Sequence, residues 1–218
     1  MARPPAKHPS EKADARKWTR RAEARPEEIL EAALAEFTER GFEAARMEDI
    51  AKRAGLSKAG VYLYFPGKEA LLKALVDSRV LPVVQSAVSA GLARIDDPKM
   101  ALRMIAAAIV RGMGDPRVFA VPRLIISIAA QFPDLAIFYR ERVGEPARGA
   151  LEGLFAAGIA KGVFRDVEPA AAARAFIGPI LFEALWTHIL RGASALDDAE
   201  RLADSHLNIL LEGLEKRA

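Results

Sequence analysis

Residues 47–68 read MEDIAKRAGLSKAGVYLYFPGK, and their spacing decides the fold. Met47, Ile50, Ala51 and Ala54 recur at helical intervals and give a two-turn helix one apolar face. Glu48 and Asp49 complement the positive end of its dipole. Gly55 stops it. Leu56 packs inward, and the Ser57 hydroxyl can cap a second short helix running from Lys58 to Phe65. Pro66-Gly67 closes that helix. Short helix, glycine-containing turn, short helix is the helix-turn-helix arrangement.

The second helix has chemistry that suits a duplex. Ser57 and Lys58 stand at its start, beside small Ala59 and Gly60. Small residues let a helix approach a groove floor, and a free helix start favours a phosphate oxygen. Tyr62 and Tyr64 diverge by about 200°, so both cannot enter the core and at least one hydroxyl should reach outward. A tyrosine hydroxyl is a good phosphate donor. The alternative, two half-buried packing tyrosines, stays open on spacing alone.

Upstream, Ile29, Leu30, Ala33, Leu34 and Phe37 fall on one helical face. Pro26 suits the first turn of that helix, Gly41 ends it, and Phe42 packs back. Residues 1–24 carry Arg3, Lys7, Lys12, Arg16, Lys17, Arg20 and Arg21, a basic flexible arm, turning helical toward its end, that either is simply solvated or contacts phosphate. Residues 1–68 hold 14 basic and 11 acidic side chains, and the rest of the 218 hold 18 of each. The whole net charge of +3 therefore lies in the first third, which points to an anionic partner there.

The remainder also reads as helix. A long helix from Glu69 should be kinked by Pro82 and end near Asp96. Met100–Gly112 and Arg117–Phe132 follow. A helix from Pro133 to Lys161 should kink at Pro146. Two more run from Pro169 to Arg191 and, after a capping-box pattern at Ser194–Asp197, to the end. Both are apolar over more of their circumference than one contact face needs. A second copy packing as a four-helix interface would supply the extra burial, as would a larger intrachain core. The fold class is all-α.

Composition removes other classes. Apolar residues make up 51% of the chain, enough for a core. Cysteine is absent, and His8, His188 and His206 are too scattered for a metal cluster. No apolar signal segment stands in Met1–Ala24 and no run reaches membrane length, so a cytoplasmic location is expected. There is no nucleophile elbow, P-loop or dinucleotide fingerprint, and buried carboxylates such as Glu183 read as structural. No enzyme activity and no cofactor is expected.

From Arg25 to Leu72 the chain resembles the DNA-binding domain of the TetR family of transcriptional regulators. The matching residues are Ile29–Ala33, Phe37, Gly41-Phe42, Asp49–Ala51, Ala54–Lys58 and Val61–Leu72. The resemblance implies a three-helix DNA-binding domain at 25–70 and a ligand-binding and dimerisation domain at 71–218. Ser57, Lys58, Ala59 and Gly60 would face the major groove, and Tyr62, Tyr64 and Lys68 would clamp phosphates. Arg46 stands where the family usually has a small hydroxyl residue, and would reach phosphate through a longer cation. Gly60 offers no side chain, so base readout would rest on Lys58 and DNA shape.

The C-terminal part resembles a branch of efflux and quorum-sensing-linked regulators, through Arg123–Ser127, Phe132–Leu135, Phe138-Tyr139 and Phe164–Pro169. The resemblance implies a homodimer through the last two helices and a pocket inside the bundle. Candidate linings are Met104, Met113, Phe119, Leu124, Ile128, Phe138, Phe155, Phe176, Phe182 and Trp186, which suit an apolar or aromatic effector. Arg123, Ser127, Gln131, Thr187 and His188 are polar residues in apolar runs. The expected function is a repressor released from a palindromic DNA operator by a small-molecule effector. The alternatives are an activator using the same residues, or a small-molecule carrier without a specific operator.

Overall fold

A computed structural model describes residues 9–192 and 198–214, with side chains from residue 25 onward, that of residue 199 apart. Arg3 and Lys7, the side chains of Lys12, Arg16, Lys17, Arg20 and Arg21, and the Ser194–Asp197 cap lie outside the described residues. Every described element is an α-helix or a π-helical turn. The chain divides into two compact units that meet between Leu71 and Leu72.

In the first unit, α1 spans Pro9–Arg40, α2 Met47–Arg53 and α3 Lys58–Tyr62, and α4 (Lys68–Leu75) begins. The helix expected from Pro26 starts at Pro9 and takes in much of the basic arm. Its Ala, Glu, Lys and Arg content favours helix, and Pro26 is taken up inside. Conversely α3 is shorter than the expected 58–65. Ile29, Ala33, Phe37, Phe42, Ile50 and Val61 form the buried core, with the Phe37 and Phe42 rings 5.2 Å apart.

The turn between α2 and α3 is built on Gly55, whose φ of +66° is the left-handed conformation that side chains resist. Leu56 N–H then donates to Ala51 O at 2.9 Å, the six-to-one bond that closes a helix end. A charged cluster binds α1 to α2. The Glu36 carboxylate is buried, and pairs with Arg40 at 3.0 Å and Arg53 at 3.5 Å. Arg53 also grips Glu39 through both guanidinium nitrogens, which holds the Glu39 carboxyl below its usual range.

The second unit holds α5 (Leu81–Leu92), α6 (Pro98–Gly114), α7 (Pro116–Ile128), α8 (Pro133–Tyr139), α9 (Glu145–Ala160), α10 (Pro169–His188) and α11 (Ala199–Leu214). Four of these open on proline, where its missing N–H costs nothing. Asp97 and Asp115 cap α6 and α7, accepting from the Met100 and Arg117 N–H groups at 3.1 and 2.8 Å. α6 packs against both α5 and α11, and α9 packs against α10. Leu102, Ala106, Phe155, Phe176 and Leu207 are among the buried residues of the common core. Phe155 sits 5.9 Å from the Phe164 ring and 6.2 Å from that of Phe176.

Two long helices expected from the sequence are divided by π turns. Val76–Val80 separates α4 from α5, and Arg140–Gly144 separates α8 from α9. A proline follows each, Pro82 and Pro146. The ring crowds the carbonyl four residues back and offers no N–H, and the helix takes a wider turn there.

Candidate functional site

The exposed surface of the first unit gathers around α3. Ser57 Oγ accepts from the Gly60 N–H at 3.1 Å, so the hydroxyl caps the helix as its position suggested. Lys58 and Ala59 are exposed. Lys58 pairs with Glu48 and lies 5.9 Å from the Tyr62 ring centre. Its bond to Glu48 raises the Lys58 pKa and lowers that of Glu48. Tyr62 and Tyr64 are both substantially exposed, so neither is a core residue.

Leu63, between them, is 85% exposed, the largest exposure among the large apolar residues described. Sequence reasoning passed over it. A helix of five residues cannot bury three consecutive side chains, and that length was not legible beforehand. Arg46 is exposed at the start of α2, where its backbone carbonyl accepts from Asp49 and Ile50 while its side chain makes no cap.

Lys68, expected at a phosphate, is half-buried at the start of α4. Its Nζ donates to the carbonyls of Phe42 and Glu43, at 2.8 and 2.9 Å, and lies 5.1 Å from the Phe42 ring. Burial pushes its pKa below the usual lysine value. Both acceptors belong to the loop between α1 and α2, so Lys68 ties the start of α4 to that loop. An open depression of about 580 Å³ also lies on this unit, among Glu27, Glu28, Glu31 and Arg53. Its carboxylates make it a poor phosphate site.

The second unit contains a cavity of about 320 Å³. Val80, Val84, Ala87 and Val88 form one wall, and Ile105, Ile109 and Met113 of α6 another. Tyr139, Val143 and Gly144 contribute from α8 and the second π turn, Ala147, Arg148, Ala150 and Leu151 from α9, and Ala173, Arg174, Ile177 and Leu181 from α10. Both π turns thus reach the wall, and Arg142 Nε joins them through Asp77 at 2.7 Å. Burial pushes the Tyr139 phenol up to about 12.

Of the expected lining residues, Met113 is on this wall. Phe119, Leu124, Ile128, Phe155 and Phe176 are buried as packing, while Met104 and Phe138 are half-buried away from it. Lys73 lies over the Phe138 ring. Phe182 and Trp186 are exposed and stack on each other at 6.2 Å. Arg123 is half-buried and Gln131 exposed. Ser127 Oγ donates to Leu124 O at 2.7 Å within its own helix. Thr187 Oγ1 is buried with no hydrogen-bond partner among the described residues. His188 Nε2 bonds Met113 O at 2.8 Å and its ring stacks on Phe119, a structural role.

Among the described residues no group of side chains could hold a metal ion, and no helix is long and apolar enough to cross a membrane.

Residues 29–75 match the family model of bacterial regulatory proteins of the tetR family, and residues 100–212 that of the AefR-like transcriptional repressor C-terminal domain. The HTH-type transcriptional regulator RutR of Escherichia coli strain K12 is 45% identical over 60 residues, which is 28% of each chain. The chain spans only about a sixth to a third of the length of the curated relatives it matches. Whole-chain likeness comes from solved structures. A TetR-family transcriptional regulator from Mesorhizobium loti MAFF303099 is 26% identical with a TM-score of 0.73, over 90% of this chain and 99% of that one. PfmR from Thermus thermophilus is 29% identical with a TM-score of 0.67, over 86% and 99%.

Proposed function

The chain belongs to the TetR family of bacterial regulatory proteins, and from that premise we propose that it is a repressor whose hold on a palindromic operator is loosened by a small apolar effector. Lys58, Ala59, Tyr62, Leu63 and Tyr64, exposed together on one short capped helix and its end, carry the DNA reading. Lys58 exchanges Glu48 for a base edge or phosphate. The exchange is cheap because the pair is exposed. Ala59 and Gly60 let the helix approach the groove floor, and the tyrosine hydroxyls and Arg46 hold phosphates.

Two copies present two such helices to successive major grooves, about 34–36 Å apart. The apolar side chains exposed on α10, Phe182 and Trp186, with Leu190 just past its end and Ile209 on α11, support a dimer face on the last two helices. The effector takes the cavity of the second unit and favours a state whose spacing no longer fits the operator. Release then follows from differential affinity between two states, not from ligand contact with DNA.

A salt titration on a duplex from the chain's own promoter region tests the DNA reading. Affinity should fall steeply with salt as phosphate counterions are displaced, and the palindrome should be preferred to bulk DNA. No detectable binding at low salt would sink it.

A further inference from the structure

We propose that the cavity of the second unit binds an amphipathic anion, an apolar body with one carboxylate head, and that Arg148 and Arg174 hold the head at its mouth. This deepens, and rests on, the reading of the cavity as the effector site.

The charge of the wall carries the inference. Its body is aliphatic, and its polar side chains are Tyr139, Arg148 and Arg174. No carboxylate lines it, although 28% of the chain is charged and acids nearly equal bases. Both guanidiniums are more than half exposed, which places them where the cavity opens to water. They come from different helices, α9 and α10, so two elements each bring a cation to the cavity wall.

Their present partners can be exchanged. Arg148 Nε lies 3.2 Å from Glu152 and Arg174 Nη2 lies 3.5 Å from Glu168. Such solvent-facing pairs contribute little. A carboxylate anchored by an apolar tail accepts from both guanidiniums and is held there by its own body. A cation would meet two like charges. A neutral molecule would gain the apolar wall and leave the arginines unused. The Tyr139 phenol stays protonated at neutral pH and so donates to an anion without repelling it.

The test is a calorimetric titration of the full chain with decanoate, decanol and decylamine, each kept below micelle formation. Decanoate should bind about tenfold or more tighter than decanol, the contribution of a charge-assisted hydrogen bond. Decylamine should be weakest. The double variant Arg148→Gln, Arg174→Gln should bind decanoate and decanol alike and still bind decanol as before. Naphthoate in place of decanoate separates a flat body from a linear one.

Equal binding of decanoate and decanol to the unmodified chain overturns the proposal, as does a preference that survives the double variant. Absence of saturable binding by both decanoate and naphthoate also overturns it. Operator binding is followed in parallel. Arginine-dependent decanoate binding that leaves DNA bound upholds the anion site and removes the effector reading. Equal release by decanol and decanoate removes the anion preference and upholds the effector reading.

Discussion

The Tyr139 phenol is withdrawn from water by the walls around it, and burial pushes its pKa from 10.0 up to about 12. In the unfolded chain it ionises near the ordinary value of about 10. Below that pH both states keep the proton and stability is unaffected. Between about 10 and 12 the unfolded chain releases its proton first, so stability falls as pH rises. The loss approaches roughly 2–3 kcal/mol at the top of that window, two units at about 1.4 kcal/mol each. Urea midpoints measured across this range should drop for the native chain and drop less for Tyr139→Phe. Parallel curves would show that another group carries the slope. Lys68 shows the same physics with opposite sign, since burial works against its charge, and two carbonyls rather than an anion hold it in place.

Elements meet most closely where α5 passes α6. A Cβ built on Gly112 would lie 2.4 Å from Cγ1 of Val83, a distance no real contact tolerates. Val83 is a stiff β-branched residue and cannot swing aside as a long chain would. Gly112→Ala should therefore cost about 1–3 kcal/mol through overpacking. Val83→Ala in the same chain should return part of that loss, which a double-mutant cycle in urea measures. An additive pair would place the strain elsewhere. Local elements such as α2, its turn and α3 were legible in the sequence because Gly55 and Ser57 act on their immediate neighbours. The two prolines announced a disturbance, though not that it would take the form of π turns. The cavity was not legible, for a physical reason. Large aromatics such as Phe155 and Phe176 fill space and touch one another, whereas a void remains where Val80, Ala87, Ala147 and Ala150 are too small to close it. Its walls come from five helices and two π turns scattered along the second unit, and no local pattern brings them together.

At the scale of the whole molecule, the charge split and the exposed apolar face of α10 both support the proposed second copy. A net charge of +3 confined to residues 1–68 gives one chain a weak hold on a duplex, and two copies double it. Phe182 is 58% exposed and Trp186 42%, on a helix whose other side, through Ala173, Phe176, Ile180 and Ala184, is already buried in the core. Such surface is costly to leave in water and is the feature by which an interface is recognised. Phe182→Arg should turn a dimer into a monomer by sedimentation while leaving helicity unchanged, because the side chain packs on little of its own chain. Linking two half-site contacts strengthens binding by about 10²–10⁴ over either alone, so the variant should lose affinity for the palindrome on that scale. The introduced arginine adds positive charge, which by itself would raise DNA affinity. A loss therefore cannot be an electrostatic side effect and must come from the broken pairing of subunits. A variant that still sediments as a dimer at the same concentration would move the interface off this face of α10.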